Sequence, residues 1–168
     1  QGTIVLDEIG ELGVTLQSRL LRVVENRKLR RVGGKEDRPV RARIVAATNR
    51  QIANAIQDGM FRNDLAQRLS VIRLTLPALR DRPEDVPTLA RVFVESFNRE
   101  LGLECASPSD EICELLVRYP WPGNVRELRN MIRRIMILEE PERILPHHLP
   151  PHVVRGENPR AGDDHDVE

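Results

Sequence analysis

Gly2-Thr3-Ile4-Val5-Leu6-Asp7-Glu8 is a short apolar run that ends in two adjacent carboxylates. The run predicts a buried strand, Thr3 to Leu6, that delivers an acidic pair to the edge of a sheet. This is the shape of a Walker B strand. The first carboxylate can hold the water shell of Mg²⁺, and the second can polarise an attacking water. Nucleotide sites of this kind pair the strand with a glycine-rich phosphate loop, G-x-x-x-x-G-K-S/T. The 168 residues contain no such string. The chain is expected to carry half of a nucleotide site and to begin inside a fold.

Downstream, apolar periods alternate between strand and helix. Leu16, Leu20, Leu21 and Val24 predict one face of a helix from about Val14 to Glu25. Leu29 to Val32 followed by Gly33-Gly34 reads as a strand and a tight turn. Arg43 to Thr48 is a second buried strand with Asn49 at its end. Gln51 to Asp58 reads as a short helix closed by Gly59, and Arg62 to Leu69 as another. Val71 to Leu76 is predicted to be a third strand, closed by Pro77. Strands alternating with helices give an α/β fold with a parallel sheet.

Beyond Pro83 the period is helical throughout. Asp85 is placed at the cap of a helix whose inner face is Val86, Leu89, Phe93, Phe97 and Leu101, with Gly102 at its end. Ser107-Pro108 opens the next, with Ile112, Leu115 and Leu116 inward. Asn124-Val125-Arg126-Glu127 reads as a capping box, Asn at the cap and Glu three residues on. Leu128, Met131, Ile132, Ile135 and Met136 are its buried stripe. Leu145 to Val154 adds a short terminal helix, and 155–168 has the composition of a disordered tail.

Charge supports two units. Residues 1–80 hold 15 Lys/Arg against 8 Asp/Glu, a net of +7, whereas residues 81–150 hold 9 against 13, a net of −4. The expected organisation is an α/β part over 1–80, a helical part over 81–154 and the tail. Aromatic content is 3%, so the cores are aliphatic. No apolar run approaches the ~18 residues of a membrane span. Cys105 and Cys113 are too few for a disulfide framework and lack zinc-site spacing.

Among single residues, Asn49 shares the carboxyl rim of the parallel sheet with Asp7 and Glu8, where ligands gather. Its amide can orient a water or sense a γ-phosphate; a polar strand end is the plain alternative. Arg62 and Arg68 lie six apart on a short helix. They are either solvated surface or fingers that reach a phosphate on a neighbouring subunit. Arg126 stands in the first turn of a helix, where the macrodipole disfavours a cation. It calls for an anionic partner or an internal ion pair. Arg27 to Arg43 holds eight basic residues against two acidic ones and could touch nucleic acid, although no aromatics are interleaved. His147, His148 and His152 are a weak metal candidate, since no predicted element gathers them.

Taken in order, these strings resemble the AAA+ ATPase domain of sigma-54-dependent bacterial enhancer-binding proteins, in its C-terminal portion from Walker B through the lid. The matching residues are Gly2 to Leu12, Leu20-Leu21-Arg22-Val23, Arg31 to Gly34, Ala46-Ala47-Thr48-Asn49-Arg50, Phe61-Arg62-Asn63-Asp64-Leu65 with Arg68-Leu69, Leu76 to Arg82, and Trp121 to Leu128. The resemblance implies a partial AAA+ sheet followed by an all-α lid. Its implied cofactors are ATP and Mg²⁺. Asp7 would support the metal, Glu8 would activate water, and Asn49 would be the sensor I residue. Arg62 and Arg68 would be arginine fingers in a ring, commonly a hexamer, and Arg126 would be sensor II. Arg31 to Gly34 would belong to a mobile loop. The implied partner is sigma-54 RNA polymerase, in the cytoplasm, with no membrane contact and DNA met through a helix-turn-helix that these residues do not contain. The phosphate loop and the family's GAFTGA loop are missing as well. In such sheets the strand leading into the phosphate loop lies between the Asn49 strand and the Val71–Leu76 strand. Three readings follow: a domain fragment unable to hydrolyse ATP alone, a non-catalytic module that modulates intact rings, and a DNA-binding hairpin.

Overall fold

The computed structural model describes residues 2–31, 33–34 and 36–157. The chain divides into two compact units, Gln1–Thr75 and Leu76–Glu168.

In the first unit, β1 (Thr3–Leu6) and β4 (Arg43–Ala46) form a two-stranded parallel sheet in the register Thr3 with Arg43 through Leu6 with Ala46. A hairpin of β2 (Lys28–Arg30) and β3 (Asp37–Pro39) lies between them in sequence. Helices α1 (Val14–Asn26), α2 (Ile52–Gln57) and α3 (Asn63–Leu69) complete the unit. The core is small: Ile9, Ala55, Phe61, Leu65 and Ala66, flanked by half-buried Leu6, Leu20, Leu21 and Ile52.

Two expectations change here. Val71 to Leu76 forms no strand, and Val71, Ile72, Leu74 and Leu76 are exposed, Leu76 at 88%. A strand needs a neighbour to receive its N–H and C=O groups. The segment pairs with no described strand, although β1 and β4 each keep one unpaired edge. The α1 stripe also differs. Leu16 is exposed, and the most buried residue of the helix is Gln17, at 0% exposure. Val32, expected at a strand end, lies outside the described residues.

The second unit is all helical: α4 (Asp85–Leu101), α5 (Asp110–Arg118), α6 (Asn124–Glu139) and α7 (Pro151–Arg155), with 3-10 turns at Leu79–Asp81 and Pro146–His148. Its core joins Val86, Ala90, Val94 and Phe97 of α4 to Ile112 and Leu116 of α5. Leu128, Ile132, Ile135 and Met136 of α6 complete it, with Tyr119 and Trp121 at the centre. Ring centroids of Tyr119 and Trp121 are 4.9 Å apart, edge to face. The inner line of α4 thus runs through Ala90 and Val94, while Leu89, Phe93 and Leu101 flank it.

Helix starts are corrected by particular bonds. Asp85 is the first residue of α4, with Glu84 at the cap. α5 begins two residues after Pro108, because Ser109 Oγ accepts from Ile112 N at 3.4 Å. The expected terminal helix is broken at Leu149-Pro150. The tail expected over 155–168 starts as the last residue of α7, and residues 158–168 lie outside the described residues.

Candidate functional site

The carboxyl end of the β1–β4 pair is laced together by backbone. Ala47 N donates to Leu6 O at 2.8 Å, and Ile9 N to Ala47 O at 3.1 Å. Gly10 lies so close that a Cβ there would meet Thr48 Oγ1 at 2.6 Å. Arg50 closes the rim with an ion pair to Glu11 at 2.7 Å. The chain turn after β1 and the turn after β4 are therefore held side by side, which only a parallel register allows. Asp7, Glu8 and Asn49 emerge from these two turns and are exposed. Asn49 stands three residues past the end of β4, in a bend rather than on the strand.

Glu8 has φ 51°, a left-handed conformation unfavourable for a side chain of its size. Its N–H is taken by Asp7 Oδ1 at 2.9 Å. Neither carboxylate forms an ion pair among the described residues. Two exposed carboxylates without a cationic partner at one turn fit Mg²⁺, which binds through one or two carboxylates and fills its other positions with water and substrate phosphate. No cluster of three or more His, Cys, Asp or Glu able to hold a metal occurs among the described residues. The three histidines fail for a visible reason: His148 Nδ1 accepts from Leu145 N at 3.0 Å, and His152 packs on Tyr119.

Arg62 is tied to Asp64 at the start of α3 and to α1, and Arg68 to α1. The Arg62 guanidinium forks onto Asp64, with Nη2 to Oδ2 at 2.6 Å and Nε to Oδ1 at 3.0 Å, and also reaches Ser18 Oγ at 3.2 Å. These hydrogen bonds hold the Asp64 carboxyl below the usual aspartate range and raise Arg62 further. Arg68 Nε meets Glu25 at 3.2 Å.

Gln17 carries the backbone of this corner. Its Nε2 donates to Leu12 O at 2.6 Å and to Met60 O at 2.8 Å, and its Oε1 accepts from Arg62 N at 2.8 Å. Sequence reasoning missed it. The available signal was a glutamine set beside the leucines of an amphipathic helix.

In the second unit Arg126 is exposed in the first turn of α6 and has no ion pair or side-chain hydrogen bond among the described residues. The internal salt bridge is thus not formed. Arg126 borders a cavity of about 570 Å³ with Arg134 and His152 at its rim and Trp121, Met131 and Val153 in its wall. The capping box is shifted. Gly123 is the cap residue, and its N–H donates to Glu127 Oε2 at 2.7 Å, while Tyr119 Oη donates to Glu127 Oε1 at 2.9 Å. Asn124 does not cap the helix. Its Oδ1 accepts from Leu79 N at 2.8 Å.

Two family models match this chain end to end: the sigma-54 interaction domain over residues 1–75 and the AAA+ ATPase lid domain over residues 80–165. The chain belongs to the sigma-54 interaction, AAA+ family. It is 49% identical over 150 residues to the nitrogen fixation protein VnfA of Azotobacter vinelandii, covering 89% of this chain and 29% of VnfA. It is 42% identical over 149 residues to the DNA-binding transcriptional regulator NtrC of Proteus hauseri, covering 89% of this chain and 32% of NtrC. The crystal structure of NtrX from Brucella abortus in complex with ATP superposes with a TM-score of 0.83 at 33% identity, over 90% of this chain and 36% of that one. This AAA+ chain spans about a third of the length of the relatives it matches. The α/β fold with an all-helical lid agrees with the family. No described helix is long and apolar enough to cross a membrane. Cys105 and Cys113 are free and buried, and burial pushes both thiols up.

Proposed function

We propose that this chain is part of an ATP-hydrolysing engine that remodels sigma-54 RNA polymerase in the cytoplasm and activates transcription. The observation that carries the reading is the parallel β1–β4 pair, which brings Asp7, Glu8 and Asn49 to one rim. In this reading Asp7 would hold Mg²⁺ with ATP, and Glu8 would take a proton from the attacking water. Asn49 orients that water or senses the γ-phosphate. Bound Mg²⁺ would neutralise phosphate charge. Arg62 and Arg68 are offered as fingers to the next subunit of a ring, a hexamer by family analogy. Arg126, left without an acidic partner, is the sensor that meets phosphate from the lid.

The 168 residues contain no phosphate loop. Without its backbone nest and lysine, nothing cradles the β- and γ-phosphates. The purified chain is therefore expected to bind MgATP weakly and to show no more hydrolysis than its Glu8→Gln variant. Robust turnover lost on Glu8→Gln would overturn that expectation.

A second reading is an interaction module that enters rings of an intact relative. Arg62 and Arg68 favour it, because one precedes α3 and the other lies in its last turn, each paired with a solvent-exposed carboxylate. Titration into an active relative should then change its turnover. Unchanged turnover and assembly would sink the idea.

A further inference from the structure

The turn that presents Arg126 is backbone-strained and pinned on several sides. Trp121 has φ 49° and Asn124 has φ 53°, both left-handed and neither a glycine. Asparagine tolerates that region, but a tryptophan persists there only where the surroundings over-determine it. Here Trp121 Nε1 donates to Leu116 O at 2.8 Å, and Asn124 N donates to Trp121 O at 2.7 Å. Glu127 holds Gly123 N and the Tyr119 hydroxyl. A Cβ at Gly123 would meet Glu127 Cβ at 2.7 Å, so the turn also needs that glycine.

One bond leaves this local knot. Asn124 Oδ1 takes the N–H of Leu79, 45 residues away in sequence. Leu79 is fully buried and opens the 3-10 turn Leu79–Asp81, on the segment by which the chain enters the second unit. The first N–H of such a turn has no partner within it. Asn124 supplies that partner from the turn two residues before Arg126.

We propose that Asn124 is a positioning residue that couples Arg126 to the Leu76–Asp81 segment. A phosphate drawn to Arg126 biases the turn, and the Asn124 amide passes that bias to the Leu79 backbone. Thermodynamic reciprocity then requires that the state of the entry segment alter phosphate affinity at Arg126 by the same factor. The proposal rests on the reading of Arg126 as a phosphate contact.

The test uses MgATP titrated into the 168-residue chain, read by backbone amide resonances. Asn124→Gly keeps the left-handed backbone and removes the acceptor. Asn124→Asp keeps both an acceptor and tolerance of that conformation. Thermal melts followed by Trp121 emission confirm that each variant is folded. In the native chain and in Asn124→Asp, MgATP should shift the Leu79 amide. In Asn124→Gly that response should vanish and the apparent Kd should weaken about fivefold. In an Arg126→Ala background, Asn124→Gly should add nothing. Additive losses, or a Leu79 response that survives Asn124→Gly, would overturn the coupling. If Asn124→Gly does not fold, an undiminished Leu79 response in Arg126→Ala overturns it equally. Arg126→Ala binding MgATP as tightly as the native chain, or no response in the native chain, would instead remove the phosphate reading and the proposal with it.

Discussion

The helical unit and the α/β unit differ in how much of their structure they complete from within. Helices close their backbone hydrogen bonds inside themselves and need only an apolar face to share. The second unit has such faces and buries Trp121, Tyr119, Phe97 and Leu128 at 1% exposure or less. Strands close their hydrogen bonds only with neighbours. β1 and β4 have one each, so both present an open edge, and Val5 is 65% exposed. The helical unit thus has a well-buried core and the α/β unit a thin one.

The sharpest way to break this comparison is to damage the strong half. Leu128→Ala removes a fully buried side chain from α6 and should cost about 2–5 kcal/mol. Trp121 is the chain's one tryptophan, so its emission reports the helical unit. The emission midpoint in urea should fall while amide exchange at Ile44 and Val45 stays as before. A common loss of protection in both units would show that they unfold together and would abolish the contrast.

The complementary change strikes the weak half. Gln17→Leu leaves Leu12 O and Met60 O without a donor and Arg62 N without an acceptor. Unmet buried groups cost about 1–3 kcal/mol, so a loss of roughly 2–3 kcal/mol is expected. It should appear in exchange at β1 and β4 and leave the Trp121 melt unmoved. A variant as stable as the native chain would mean that the corner relaxes onto other partners.

These two sites also show what the sequence made legible. The helix stripe Leu128, Ile132, Ile135 and Met136 was readable because period 3.6 is a local property. The rim of Asp7, Glu8 and Asn49 was readable because strand-end polarity is local too. Val71 to Leu76 misled because an apolar pattern makes a strand only when another strand pairs with it, and pairing is not a local property. Gln17 and Asn124 were illegible for the opposite reason. Their partners, Met60 and Leu79, lie 43 and 45 residues away. Asn124 even satisfied a local rule, the capping box, and was spent on a distant bond instead.

A smaller effect tests the open segment directly. Leu74 is 86% exposed, so Leu74→Ser should leave stability within about 0.5 kcal/mol and reduce self-association at high concentration. A loss well above 1 kcal/mol would mean that the segment packs in solution, which would narrow the difference between the units.

The least stability change is expected at Asp64. Its carboxylate is exposed and gripped by Arg62, an arrangement that contributes little at neutral pH. The sign of its pH dependence is fixed. Hydrogen bonds from Arg62 lower the Asp64 pKa from 3.8, so the pair's contribution is present above that value and disappears as pH falls through the depressed one. The carboxyl carbon resonance of Asp64 should therefore titrate below an ordinary aspartate, and Arg62→Ala should return it to the usual range. Asp64→Asn should release the Arg62 Nε–H resonance at every pH, with melting of both units nearly unchanged. An Asp64 titration at or above the ordinary value would mean that the fork is open in solution. Arg62 would then already be free to reach a phosphate, as the proposed function asks, and the weak half would be looser at this corner than its hydrogen bonds indicate.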